Sequence, residues 1–269
     1  MPCSTPGAGC EVERRSFMAK NNVRLETTQQ KEIYSRFRYL ADRHSAWQVW
    51  ADFITMSACS LSLADREQHE AEYASIANRY QSEELQRLCE MFGLTVDALE
   101  TDPNQDFLGD LFMRFDLGNE WKGQFFTPYC VCQMMSSLTA GDLKAQVEEK
   151  HWVHSHDPAC GAGATLIAFA NECRDQGVNY QTSALFVAQD IDRTAALMCY
   201  VQLSLLGCPG YVVVGDSLCN PVTGPMLFPQ RREGQEIWYT PMFFSDIWQC
   251  RRQVEIMEGF LKIGGTNGK

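Results

Sequence analysis

From about residue 150 the chain alternates short β-branched runs with amphipathic ones, and this alternation constrains the fold more than any other feature. "HWVHSHD", "GATLIAFANECRDQG", "ALFVAQD", "RTAALMCYVQLSLLG" and "YVVVGD" follow one another in order. Strand, helix, strand, helix, strand predicts a Rossmann-like α/β fold with a doubly wound parallel sheet. Such sheets bind ligands in the crevice beyond the carboxyl ends of their strands. The residues that close each strand therefore carry the functional question.

Residues 26–120 lack that alternation and read as a helical domain. Ile33, Phe37, Leu40, Trp47, Trp50 and Phe53 recur mostly at three- and four-residue intervals, as one buried helix face requires. Tyr73, Ile76, Tyr80, Leu85 and Leu88 form a second stripe. Asp65, with Gln68 three positions on, reads as an N-cap pair, and Gly93 as the end of that helix. Residues 1–25 lack the apolar centre of a signal peptide and read as a loose tail. Residues 121–269 hold the α/β pattern and close on an amphipathic stretch with Ile247, Trp248, Val254, Met257 and Leu261 on one side. No run approaches the roughly 18 apolar residues of a membrane span, so a cytoplasmic location is expected.

Twelve cysteines without a C-x2-C pair read as reduced, mostly buried thiols. The net charge of -11 argues against an autonomous grip on duplex DNA, which needs a basic surface to meet phosphates. A DNA-acting chain of this charge would work through, or together with, a partner subunit. His151, His154 and His156 lack acidic or cysteine companions at metal-ligand spacing, and no metal is expected.

The first strand ends in "DPACGAGATL". Gly161 and Gly163 allow a tight turn and close approach to a ligand, and Asp157 projects a carboxylate over the same crevice. Neither the third glycine of a dinucleotide fingerprint nor the Lys-Ser/Thr of a P-loop is present. The second strand ends in "AQDID", where Asp190 suits the two hydroxyls of a ribose and Asp192 suits a helix N-cap. Asp216 closes the third strand in "GDSL" and could accept from an exocyclic amine. Three carboxylates on consecutive strand ends suit a nucleoside with a positive centre and would repel a pyrophosphate.

Upstream stands "GQFFTP", followed by a helical pattern. That segment, then "DPACGAGATL", "AQDID" and "GDSL", resembles the S-adenosylmethionine-binding half of the N6-adenine DNA methyltransferases. The closest likeness is to the modification subunits of type I restriction systems, over about residues 120–218. The resemblance implies that Gln124, Phe125, Thr127 and Pro128 line the methionine side of the cofactor. It likewise implies that Asp157, Cys160, Gly161 and Gly163 form the main cofactor loop, that Asp190 holds the ribose, and that Asp216 holds the adenine amine.

The family's Asn/Asp-Pro-Pro-Tyr/Phe element, which orients the target amine and stacks on the flipped base, is missing. Asn220 in "CNPVTGP" is the nearest approach and reads first as a turn residue. "IWYTP" reads as a fourth strand with Tyr239 near its tip, and Phe126 and Tyr239 are the candidates for stacking on a base. Arg231-Arg232 and Arg251-Arg252 read as a solvated face or as phosphate contacts. The chain also stops soon after this last stretch, where the family continues. The reading is therefore adenine-specific DNA methylation, alone or as a subunit. A catalytically silent regulatory or decoy subunit of restriction or antirestriction is the alternative.

Overall fold

The computed structural model describes residues 25–115, 117 and 126–264, with side chains up to Glu258 in the last helix. The expected N-terminal tail, Gln124 and Phe125 lie outside the described residues. The helical region comprises α1 (Thr28–Ala41), α2 (Ala46–Leu61), α3 (Arg66–Ala77), α4 (Ser82–Thr101) and α5 (Phe107–Arg114). Next come α6 (Tyr129–Thr139), α7 (Leu143–Lys150), β1 (Val153–Asp157), α8 (Ala164–Asp175) and the single turn α9 (Tyr180–Ser183). The chain continues through β2 (Ala184–Asp190), α10 (Arg193–Leu205), β3 (Gly210–Val214), β4 (Glu236–Tyr239), a 3-10 turn (Pro241–Phe244) and α11 (Asp246–Gly264).

Local chemistry starts α1. Thr27 accepts from the Gln30 N–H while the Gln30 side chain accepts from the Thr27 N–H, satisfying two donors left over at the helix start. The face so aligned buries Ile33, Phe37 and Leu40, and Phe37 stacks on Phe115 at 4.8 Å. Two expected signals behave differently. Asp65 adopts left-handed φ of 48° before α3 and makes no cap bond, so the Asp65–Gln68 pair does not form. Gly93 does not end its helix: α4 runs through it, because Leu88, Met91, Ala98 and Leu99 are buried on either side. One interior glycine costs about 1 kcal/mol, less than that burial contributes.

The sheet order is β1-β2-β3-β4. β1, β2 and β3 are parallel, and their crossover helices α8 and α10 pack on one face, over Ala184, Phe186, Ala188 and Val212. The opposite face, with Leu185, Val187, Tyr211 and Val213, is covered by Leu227, Phe243 and Trp248. The sheet described is thus not doubly wound: strand order never reverses, and both crossovers use one face. β4 pairs antiparallel with β3, Tyr239 opposite Tyr211 and Glu236 opposite Val214. A parallel fourth strand would need a connection returning to the start of β3. Residues 215–235 hold no helix, so the chain re-enters from the end at which β3 left.

The helical region is not a separate body. Trp50, Phe112, Leu197 and Tyr200 belong to one continuous core with the sheet. Arg193 bridges Glu72 of α3 at 3.0 Å and Glu236 of β4 at 2.9 Å, and His69 stacks on Trp238 at 4.0 Å. Deeper still, Gln202 of α10 donates to Asp106 Oδ1 (2.7 Å) and to the Ala162 carbonyl (2.9 Å), and accepts from the Leu108 N–H (3.0 Å). Asp106 also caps α5 by accepting from the Gly109 N–H. One buried amide therefore joins the helical region to the glycine turn.

Gln202→Met keeps the volume and strands these partners, so urea unfolding should show a loss of about 1–3 kcal/mol. Burial raises the Asp106 carboxyl above the usual range against the opposing bonds from Gln202 and Gly109. Its share of stability is complete below the ordinary carboxylate pKa and lost as pH rises through the raised folded value. Asp106→Asn, which keeps a capping oxygen, should abolish that fall. Unfolding free energies of both proteins across the acid-to-neutral range check the difference in slope.

Candidate functional site

β1 delivers Asp157 to the carboxyl edge of the sheet, and the turn from Pro158 to Gly163 leads into α8. Asp157 accepts from the Ala159 N–H at 3.0 Å and from the Thr165 hydroxyl, which fixes it against the start of that helix. Gly161 and Gly163 have φ of 53° and 98°. A Cβ on Gly161 would stand 3.0 Å from the Phe126 ring, and one on Gly163 would stand 2.8 Å from Cys199 Sγ. The turn closes through the Gly163 N–H on the Cys160 carbonyl at 2.8 Å and docks on β2 through the Cys160 N–H on the Gln189 carbonyl at 3.0 Å. Gly163 caps α8 with no side chain, so the first-turn N–H groups of that helix have no side-chain cap.

Asp190 at the tip of β2 completes the turn. One carboxylate oxygen accepts from the Gly161 N–H at 2.8 Å, the other from the Asp192 N–H at 2.8 Å. Burial raises this carboxyl above its ordinary range, with both backbone bonds opposing. Asp192 takes the helix-cap role, accepting from the Thr194 and Ala195 N–H groups. Asp216, just after β3, accepts from the Cys219 and Leu218 N–H groups, which hold its carboxyl below the usual range.

The aromatic segment meets this turn from above. Phe126 packs on Gly161 and lies 5.3 Å from Phe112, so it fills the space beneath the turn. Thr127 and Pro128 follow, exposed, at the entry to α6. Tyr129 anchors that entry, donating to Asn104 Oδ1 at 2.8 Å and accepting from Asn171 Nδ2 at 3.1 Å. Cys160 is buried, and its thiol is pushed well up by its bond to Cys199 and by desolvation; it packs the turn and is no nucleophile. The thiols as a class divide more evenly than expected: Cys132, Cys160, Cys173, Cys199 and Cys208 are buried, while Cys89, Cys130, Cys219 and Cys250 are exposed.

The two candidates for handling an acceptor base are placed elsewhere. Tyr239 is carried by the antiparallel β4 to the opposite edge of the sheet, where it packs 5.1 Å from Phe243. Asn220 donates its amide to the Glu233 carbonyl at 2.9 Å, and its own carbonyl accepts from Gln189 and Gln235. It staples the loop after β3. Gln189 and Gln235 went unread in the sequence although both are buried at this loop; a lone amide inside the apolar run "ALFVAQD" was the available signal. The arginine doublets serve the fold: Arg231 bonds the Gln235 carbonyl, Arg251 those of Thr182 and His151, and Arg252 that of Phe243.

A family model described as N-6 DNA methylase matches residues 105–256, more than half of the chain. Among solved structures, the chain is similar to a protein of Listeria monocytogenes described as a class I S-adenosylmethionine-dependent methyltransferase. Identity is 14% and the TM-score 0.40, over 74% of this chain and 57% of that one. The chain thus spans little more than half of that structure's length. The comparison with curated proteins returned no match.

Gly163→Ala should destabilise the fold by about 1–3 kcal/mol, through left-handed strain and contact with Cys199 together. Adding Cys199→Ala relieves the contact and leaves the strain, so the double variant should recover only part of the loss in chemical unfolding. Full recovery would mean that the backbone conformation of the turn contributes nothing.

Proposed function

The chain belongs to the N-6 DNA methylase family, and from that membership we propose that it binds S-adenosylmethionine as the cofactor-holding part of an adenine-N6 DNA-methylating complex. One arrangement carries this reading: Asp190 and Phe126 grip the same glycine turn from two sides. The residues present fit the cofactor. Asp190 uses two of its roughly four acceptor positions on backbone, leaving the others for ribose hydroxyls. Gly161 and Gly163 leave the crevice clear of side chains at the turn. The uncapped first turn of α8 suits the methionine carboxylate. Thr127 and Pro128, with Gln124 and Phe125, would line the methionine side; Asp157 and Cys160 hold the turn in shape. Asp216 keeps one carboxylate oxygen for the adenine amine.

The cofactor supplies an electrophilic methyl on a sulfonium. The protein's part is alignment: holding the donor so that an incoming amine meets the methyl in line. DNA is the expected acceptor, reached in the cytoplasm through a partner subunit of a restriction-modification system, since the net charge of -11 offers little attraction to phosphate. Among the described residues no helix is long and apolar enough to cross a membrane.

A second reading has its own support. Asn220 is committed to the Glu233 carbonyl and Tyr239 lies at the far sheet edge, so neither orients a base. A chain that binds the cofactor without transferring the methyl would act as a regulatory or decoy subunit.

Calorimetric titration with S-adenosylmethionine should show saturable binding that Asp190→Ala weakens about 10- to 100-fold, the worth of a charged hydrogen bond. Absence of binding by the folded protein would end both readings. Tritium transfer from labelled cofactor to unmethylated DNA separates them: incorporation supports catalysis, and silence across varied DNA with binding intact supports the regulatory role.

A further inference from the structure

The helical layer and the sheet both stop unfinished on the same side of the molecule. β1 pairs only with β2 among the described strands, so its other edge carries unpaired backbone groups. Edge strands of monomers are commonly blunted by lysine, proline or a bulge, and Val153–Asp157 contains none of these. Above the sheet, α8 lies over β1 and β2, α10 lies over β2 and β3, and α6 packs chiefly on α8. The layer therefore runs α6, α8, α10 in step with the strands, and α6 stands outboard of β1.

α6 is also the least ordinary surface of the chain. From Tyr129 to Thr139 it has no charged residue, although 21% of the protein is charged. Its inner face buries Cys132 and Ser136 against α8. Its outer face leaves Val131, Met134, Met135 and Leu138 exposed, Leu138 to 76%. Eight of the eleven large apolar side chains exposed among the described residues lie on α6 and on α11. α11 runs under the start of β1, where Trp248 meets Trp152 and Arg251 bonds the His151 carbonyl.

We infer that this side binds a second copy of the chain, α6 packing on its image and β1 pairing antiparallel with its own edge across a two-fold axis. Charge selects this occupant. Two copies each carrying -11 repel over most of their surfaces, and an uncharged helix face is where they can approach closely. Symmetry agrees, because a two-fold contact needs a self-complementary patch: apolar on apolar, open edge on open edge. Antiparallel pairing centred on Ser155 sets Asp157 opposite the partner's Val153, which keeps the two carboxylates at opposite ends of the ladder. This inference stands apart from the cofactor reading and does not need it.

Sedimentation of the full chain should show a concentration-dependent species of twice 30.5 kDa, strengthening as salt screens the like net charges. Leu138→Glu and Met134→Glu place like charges on the contact and should give monomers with unchanged melting, whereas Leu63→Glu, on an exposed site in the helical region, should leave the dimer intact. A short bismaleimide should join exposed Cys130 to its image, and Cys130→Ser should abolish that product. A monomer at all concentrations and salts, or a dimer indifferent to both α6 substitutions, would overturn the inference.

Discussion

The hydrogen bond from the Gly161 N–H to Asp190 is the constraint on which the site depends. It ties the turn after β1 to the tip of β2, and each partner needs the other. Without Asp190 the glycine turn would lack its only side-chain hydrogen bond from a neighbouring strand end among the described residues. Without the turn, a carboxylate two-thirds withdrawn from water would keep only the Asp192 N–H. A buried acidic group held by backbone N–H groups is a poor device for stability alone, since desolvation works against it. It is a good device for presenting acceptor oxygens at a fixed place. The family membership and the local energetics therefore point the same way.

Support for that turn comes from a distance. Phe126 closes Gly161 from one side, and Gln202 holds the Ala162 carbonyl from beneath while bonding Asp106 at the start of α5. The family match begins at residue 105, so it includes this α5 cap along with the sheet. The helical region is thus part of the site's support, sharing one core and one buried amide with it.

Much of this was legible in the sequence. The strand and helix periods from residue 150 onward gave β1, β2, β3, α8 and α10 in order, because a short parallel unit leaves a strong local pattern. Asp192 announced its cap by position alone. What failed depended on contacts beyond local spacing. Gly93 looked like a helix end, yet tertiary burial carried α4 through it. Tyr239 looked like a residue at the ligand edge, yet strand direction placed it at the other, and direction is decided by where the connection can go. The doubly wound sheet was inferred from the α/β rhythm, which does not say whether strand order reverses. Gln189, Gln202 and Gln235 were invisible as functional positions because one buried amide in an apolar run looks like noise until its partners are known.

The account stands on the glycine turn as the place where S-adenosylmethionine sits. Amide resonances of Gly161 and Gly163, followed by nitrogen-15 NMR during titration with the cofactor, test this most directly. Saturable shifts centred on these two glycines and on Asp190 are the predicted result. Resonances that stay fixed while the cofactor is in excess, or shifts confined to α1–α4, would contradict it.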